Sequence, residues 1–165
     1  MSDGDCVRVS TRVGVDPDTA FRLFTEDVDA WWRNGPRLRW HGERDGTVCF
    51  EPGVGGRFLE VYDLAAGDVF EVGRIQVWEP PRRLVFTFRA RAFAPDESTE
   101  VEVRFSAVGD ATDVTVEHRG WDALRPDHPV RHGMDVSAFG HMMGVWWADL
   151  LTSARQHAAA SGRRT

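Results

Sequence analysis

The sequence predicts an α+β fold: a seven-stranded antiparallel sheet, two short helices near its start and one long C-terminal helix across one face. Three observations lead there. Several short segments alternate apolar and polar residues strictly, the period of a half-buried strand. Glycine and proline clusters separate these segments at hairpin distances. Residues 134–159 contain no proline and no β-branched run, and they keep an apolar stripe at helical spacing.

The first strand is CVRVSTRVGV, residues 6–15, with Val7, Val9, Thr11 and Val13 in one phase and Cys6, Arg8, Ser10 and Arg12 in the other. In VDPDTAFRLF, Asp16 is a good N-cap and Pro17 suits the first helical position. Ala20, Phe21 and Phe24 then recur at helical spacing. A second short helix is expected through EDVDAWW, with Val28, Trp31 and Trp32 on one face.

From Gly46 to Trp121 the period becomes two. TVCFE, the turn PGVGG and RFLEVYDL form one hairpin; DVFEVGRIQVW, the turn EPPRR and LVFTFRARAF form the next. STEVEVRFSAV and ATDVTVEHRGW meet across Gly109 and Asp110, which completes a meander of six strands after the first. Val101, Val103, Phe105 and Ala107 with Val114 and Val116 mark the dry face of the sheet. The alternate charged residues are expected to form exposed cross-strand pairs.

In the long helix, Met143, Trp147, Leu150, Leu151, Ala154 and Ala158 make a stripe that stays apolar to the end. A second stripe, Phe139, Met142 and Trp146, turns polar at Asp149 and Ser153. Trp147 is therefore assigned to the core, and Trp146 to a face covered only along the first half of the helix. Adjacent helical residues point about 100° apart, so both cannot face one core.

A chain of 165 residues suits one domain over 1–165, with 160–165 as a flexible tail. Hydrophobic content of 42% and charged content of 28% are those of a globular protein. Apolar runs fall far short of the ~20 residues of a membrane span. The start, MSDGDCVRV, lacks a secretion signal, so a cytoplasmic protein with no membrane partner is expected. Cys6 and Cys49 are expected to be free thiols. All 20 basic residues are arginine, against 26 acidic ones, for a net charge of −6. That balance argues against nucleic-acid binding.

The element order is that of the helix-grip fold, the SRPBCC superfamily that includes START domains and birch-pollen-type allergens. Local motifs resemble one branch of it, the homologues of the activator of the heat-shock protein 90 ATPase. The matching stretches are VDPDTAFRLFTEDVDAWW, EPGVGGRFLEVY, GRIQVWEPPRRLVFTF and VTVEHRGW, followed by the helix carrying GVWWADLL. The resemblance covers roughly residues 5–158 and implies a curved sheet wrapped around the long helix, enclosing a cavity for an apolar or aromatic small molecule. It implies no single reaction. The co-chaperone that names the branch has a further N-terminal domain, so ATPase activation is not carried over.

His118 continues the inward phase of Val114 and Val116. A histidine there is either a ligand-orienting or proton-transferring group, or a core histidine bonded to the backbone. His128, His132, Asp135 and His141 crowd one region, but Pro129 interrupts the helix and no ligand spacing is recognisable, so no metal is expected. No serine or cysteine lies in a nucleophile motif, and PGVGG is a turn rather than a phosphate loop. Tyr62, Glu60, Glu71 and Arg74 fall on strands of mixed phase, and their faces stay open. Trp32, Phe86, Phe88, Phe105, Trp121 and Trp147, among seven tryptophans in all, suit either a core or a pocket with rigid aromatic walls.

The leading expectation is a protein that binds a small apolar or aromatic molecule between sheet and helix, without a cofactor. Its expected ligand-binding residues are His118, Trp121, Phe86, Phe88, Phe105, Trp32, His141, Met143, Trp146 and Trp147. One alternative is a cyclase- or dehydratase-like enzyme with His118 as acid or base. Another is an interaction module, with Trp146, Met142 and Phe139 anchoring a partner or a second copy in a homodimer.

Overall fold

In the computed structural model, which describes residues 6–32, 46–90, 92–125, 127–131 and 133–162, the alternating segments become strands. They are β1 (Cys6–Val13), β2 (Thr47–Phe50), β3 (Arg57–Asp63), β4 (Asp68–Glu79), β5 (Arg83–Phe88), β6 (Thr99–Val108) and β7 (Ala111–Arg119). The helices are α1 (Pro17–Glu26), α2 (Val28–Trp31) and α3 (Val136–Gly162). All neighbouring strands are antiparallel, in the order β1-β7-β6-β5-β4-β3-β2. The chain thus runs a meander from β2 to β7 and lays β1 beside its last strand. This is the expected helix-grip architecture, its sheet curled about α3.

Asp16 caps α1 by accepting from the Thr19 N–H at 2.8 Å, with Pro17 in the first turn. α2 ends at Trp31, one residue earlier than expected. Trp32 leaves the helix with an extended backbone (φ −75°, ψ 102°), and both rings are 1% exposed. Breaking the helix between them is what lets two adjacent tryptophans enter one core. α3 begins two residues later than expected and runs three further, with the Asp135 carboxylate accepting from the Ala138 N–H at 2.8 Å. Among the described residues no helix is long and apolar enough to cross a membrane.

Along β6 and β7 the inner face is apolar as the alternation predicts, with Val101, Val103, Phe105, Val114 and Val116 all buried, but Ala107, near the end of β6, is exposed. In the middle of the sheet the pattern is disturbed by bulges between Phe58 and Leu59 and between Ile75 and Val77. Gly73 lies there because a Cβ would stand 1.6 Å from the Thr87 carbonyl oxygen.

The charged outer face differs from the exposed pairs expected. Glu102 is buried, accepting from Arg83 Nε at 2.6 Å, Arg104 Nε at 2.8 Å and Arg119 Nη1 at 2.8 Å. Arg8 and Glu117 extend the network to β1. Burial pushes the Glu102 carboxyl up, but hydrogen bonds from Arg119, Arg83 and Arg104 outweigh it and hold the pKa at about 2. On the edge strand β2, the Val48 N–H donates to the Asp29 carboxylate of α2 at 3.0 Å.

Candidate functional site

His118 enters the core from the end of β7, where α3 crosses the sheet. The Trp147 indole N–H donates to His118 Nδ1 at 3.1 Å, which leaves the ring's own proton on Nε2. Nε2–H then donates to Thr99 Oγ1 at 2.7 Å, and the Thr99 hydroxyl donates to the Phe88 carbonyl at 3.1 Å. The imidazole is fully buried against the Trp121 ring, 4.3 Å away, and burial lowers its pKa to about 3. His118 is therefore neutral near pH 7 with both nitrogens bonded inside the protein. In this arrangement the imidazole fastens α3 to the sheet, like the core histidine the sequence also allowed, although its partners are side chains rather than the backbone.

The other aromatics expected to wall a pocket pack on one another. Trp32 meets Phe58, Trp146 and Trp147 at 5.4, 5.7 and 5.8 Å. Phe86 lies 5.4 Å from Phe58, Phe105 5.2 Å from Phe21, and Trp121 4.9 Å from Phe139. Phe88 and Met143 are buried in the same cluster, and Trp146 is half-buried beside it. Phe139 is 2% exposed, which corrects its assignment to an exposed anchor. His141 does not join the cluster; it lies exposed on the outward face of α3, because it falls between the positions of the buried stripe.

An apolar crevice opens instead between α1 and the C-terminal half of α3. Its walls are Thr11 and Val13 of β1, Val114 of β7, Ala20, Leu23 and Phe24 of α1, Trp31, and Leu151, Ala154 and Ala158 of α3. Its volume is only about 20 Å³, about the room of a single water molecule. Alanines cause the gap: at Ala20, Ala154 and Ala158 a methyl group stands where a longer side chain would close the helix crossing. None of the ten expected ligand-binding residues lines it.

Residues 15–140 match the family described as Activator of Hsp90 ATPase homolog 1-like protein, AHSA1. The chain belongs to the AHSA1-like family. Among solved structures, a Mesorhizobium loti protein is similar over 92% of this chain and 94% of its own, at 21% identity and TM-score 0.62. A Nitrosomonas europaea protein is similar over 100% of both chains, at 14% identity and TM-score 0.64. The Aha1 dimer of Colwellia psychrerythraea is similar over 91% of this chain and 92% of its own, at 15% identity and TM-score 0.59. At such identities the likeness is one of fold. No curated protein matches the sequence.

The remaining candidates of this AHSA1-like chain are dispersed. His128 is buried with its Nε2 3.0 Å from Glu97 Oε1, while its Nδ1 accepts from the Val130 N–H at 3.1 Å. It clasps the β5–β6 connection to the one that follows β7. Asp135 caps α3, and His132 lies outside the described residues. Among the described residues no group of three metal-ligating side chains forms. Successive register pairs, Leu59 with Glu71 and Glu60 with Phe70, put Glu71 and Glu60 on opposite faces. Glu60 is buried on the inner face with Tyr62, whereas Glu71 and Arg74 form an ion pair on the outer one.

Proposed function

We propose that this AHSA1-like protein is a binding module that takes an apolar small molecule, an aliphatic chain, in the crevice between α1 and the C-terminal half of α3. The observation that carries the reading is the crevice itself: ten lining residues of which only Thr11 is polar, open to solvent on one side. Its width favours a chain over a ring. A gap of about 20 Å³ holds about one water-sized group, so α1 and α3 must part to take a ligand, and by less for a row of methylenes than for a flat ring. Binding would be driven by desolvation, each buried CH₂ contributing about 0.8 kcal/mol. The cyclase-like alternative needs a proton-transferring His118, and the hydrogen bonds at both ring nitrogens count against it.

Titration with a series of n-alkanols, followed by tryptophan fluorescence and thermal melts, tests this reading. Affinity is expected to rise about 4-fold per added CH₂, the factor that ~0.8 kcal/mol represents. Ala154→Leu, which fills the crevice, should abolish binding without lowering the melting temperature. Affinity independent of chain length, or unchanged in Ala154→Leu, would overturn it.

A second reading, docking of another protein or a second copy, is favoured by the outward face of α3. Val145 is 45% exposed there, between His141 and Ala148, both also exposed, and the Colwellia relative is a dimer. Sedimentation equilibrium of the wild type and Val145→Arg distinguishes it. A wild-type dimer dissociated by the substitution supports this reading, and a monomer throughout excludes the second copy.

A further inference from the structure

We propose that Arg131 and Trp121 form a buried anion site fitted to a carboxylate, either a small free acid or the acid end of a larger molecule. Arg131 ends a single 3-10 turn, Pro129–Arg131, just before α3, and is 5% exposed. It is the buried arginine among the described residues, and no carboxylate pairs with it there. Its Nη2 donates to the carbonyls of Trp121 at 2.7 Å and Leu124 at 3.3 Å, and its Cζ lies 5.7 Å from the Phe139 ring centroid. Its Nε has no acceptor.

The indole of Trp121, whose own backbone carbonyl Arg131 bonds, carries a second unused donor. Trp121 is 2% exposed, its ring is 4.9 Å from the same Phe139 ring, and its Nε1 also has no acceptor. Buried donors in folded proteins almost always have partners, so two orphans beside one ring are unusual. One of the two also belongs to a charged group. The two carbonyls take hydrogen bonds from the guanidinium but leave its positive charge uncompensated, and an unpaired buried ion costs several kcal/mol.

A trapped water could accept from either donor but brings no negative charge. A carboxylate brings two acceptor oxygens and the missing charge together, and hydrogen bonds between ionised groups are about twice as strong as neutral ones. The site shares no residue with the alkyl crevice, so either proposal can fail without the other.

Thermal melts of the full chain in increasing formate test it, with ionic strength held constant by a bulky organic sulfonate and chloride as a parallel arm. Formate is expected to raise the melting temperature in proportion to the logarithm of its concentration, as a ligand of the folded state does, and chloride is not. Trp121→Phe keeps a ring and loses the donor, so the apparent affinity for formate should fall about 2- to 12-fold, the worth of one hydrogen bond. Arg131→Met removes the charge and should abolish the response while remaining folded, since it also removes the unpaired buried ion. No formate response in the wild type, an equal response to chloride, or a response unaltered in Trp121→Phe would each overturn the proposal.

Discussion

Protonating His118 would set its ring against the neighbour that now holds it. Nδ1 accepts from the Trp147 N–H, and an added proton there would place two donors face to face. The folded pKa of about 3 lies below the ordinary 6.5, so on acidification the unfolded chain takes up this proton first. The stabilisation is complete above pH 6.5 and is lost progressively as the pH falls towards 3. Each tenfold difference in proton affinity between the folded and unfolded chain is worth ~1.4 kcal/mol, so the loss is on the order of several kcal/mol. Glu102 acts in the same direction but lower, between its ordinary 4.5 and about 2. His118→Gln keeps an acceptor and a donor but does not titrate. Urea midpoints at pH 7, 5 and 4 should show the variant ~1 to 3 kcal/mol less stable at pH 7, with a shallower decline towards pH 4 than the wild type. Parallel declines would assign the acid sensitivity to Glu102 and its arginines instead.

Between elements, what could be read in the sequence follows how regular each element is. β1, β6 and β7 alternate without a bulge, and their inner residues were legible from the period except at Ala107, where the end of β6 runs out past the core. α1 was legible from Asp16 and Pro17. β3 and β4 were not, because β4 carries an extra residue at Val72 and again at Gln76, and β3 one at Tyr62, each of which shifts the phase. That is why the faces of Glu60, Tyr62, Glu71 and Arg74 emerge only from the folded sheet. The site was less legible for a different reason. An abundance of tryptophan and phenylalanine is the signature of an aromatic pocket and equally of aromatic rings that fill one another's space. The crevice arises from missing side-chain volume at three alanines, which leaves no pattern to find. The β4 bulge makes its own prediction. Gly73→Ala puts a methyl group 1.6 Å from the Thr87 backbone oxygen, which no rotamer can relieve. It should unzip β4 from β5 and lower the melting temperature by more than 10 °C, roughly the effect of several kcal/mol in a domain of this size. A melt within ~2 °C of the wild type would show that the bulge can move.

Across the whole molecule, α3 is fastened at separate points along its length. Near its middle, Trp147 bonds to His118; near its end, His157 Nε2 lies 3.1 Å from Asp27 Oδ2 at the α1–α2 junction. The crevice opens between these two attachments, so filling or emptying it need not release the helix from the sheet. At the far edge of the sheet, the carboxylate of Asp29 has a role beyond holding α2 to β2. An edge strand with open N–H groups is a template on which another chain can add a strand. By accepting from Val48, Asp29 withdraws one of the bonds such growth would use. Asp29→Ala should therefore change the folded chain's solubility more than its stability. Light scattering of a concentrated sample held below its melting temperature should show the variant seeding aggregates where the wild type stays clear.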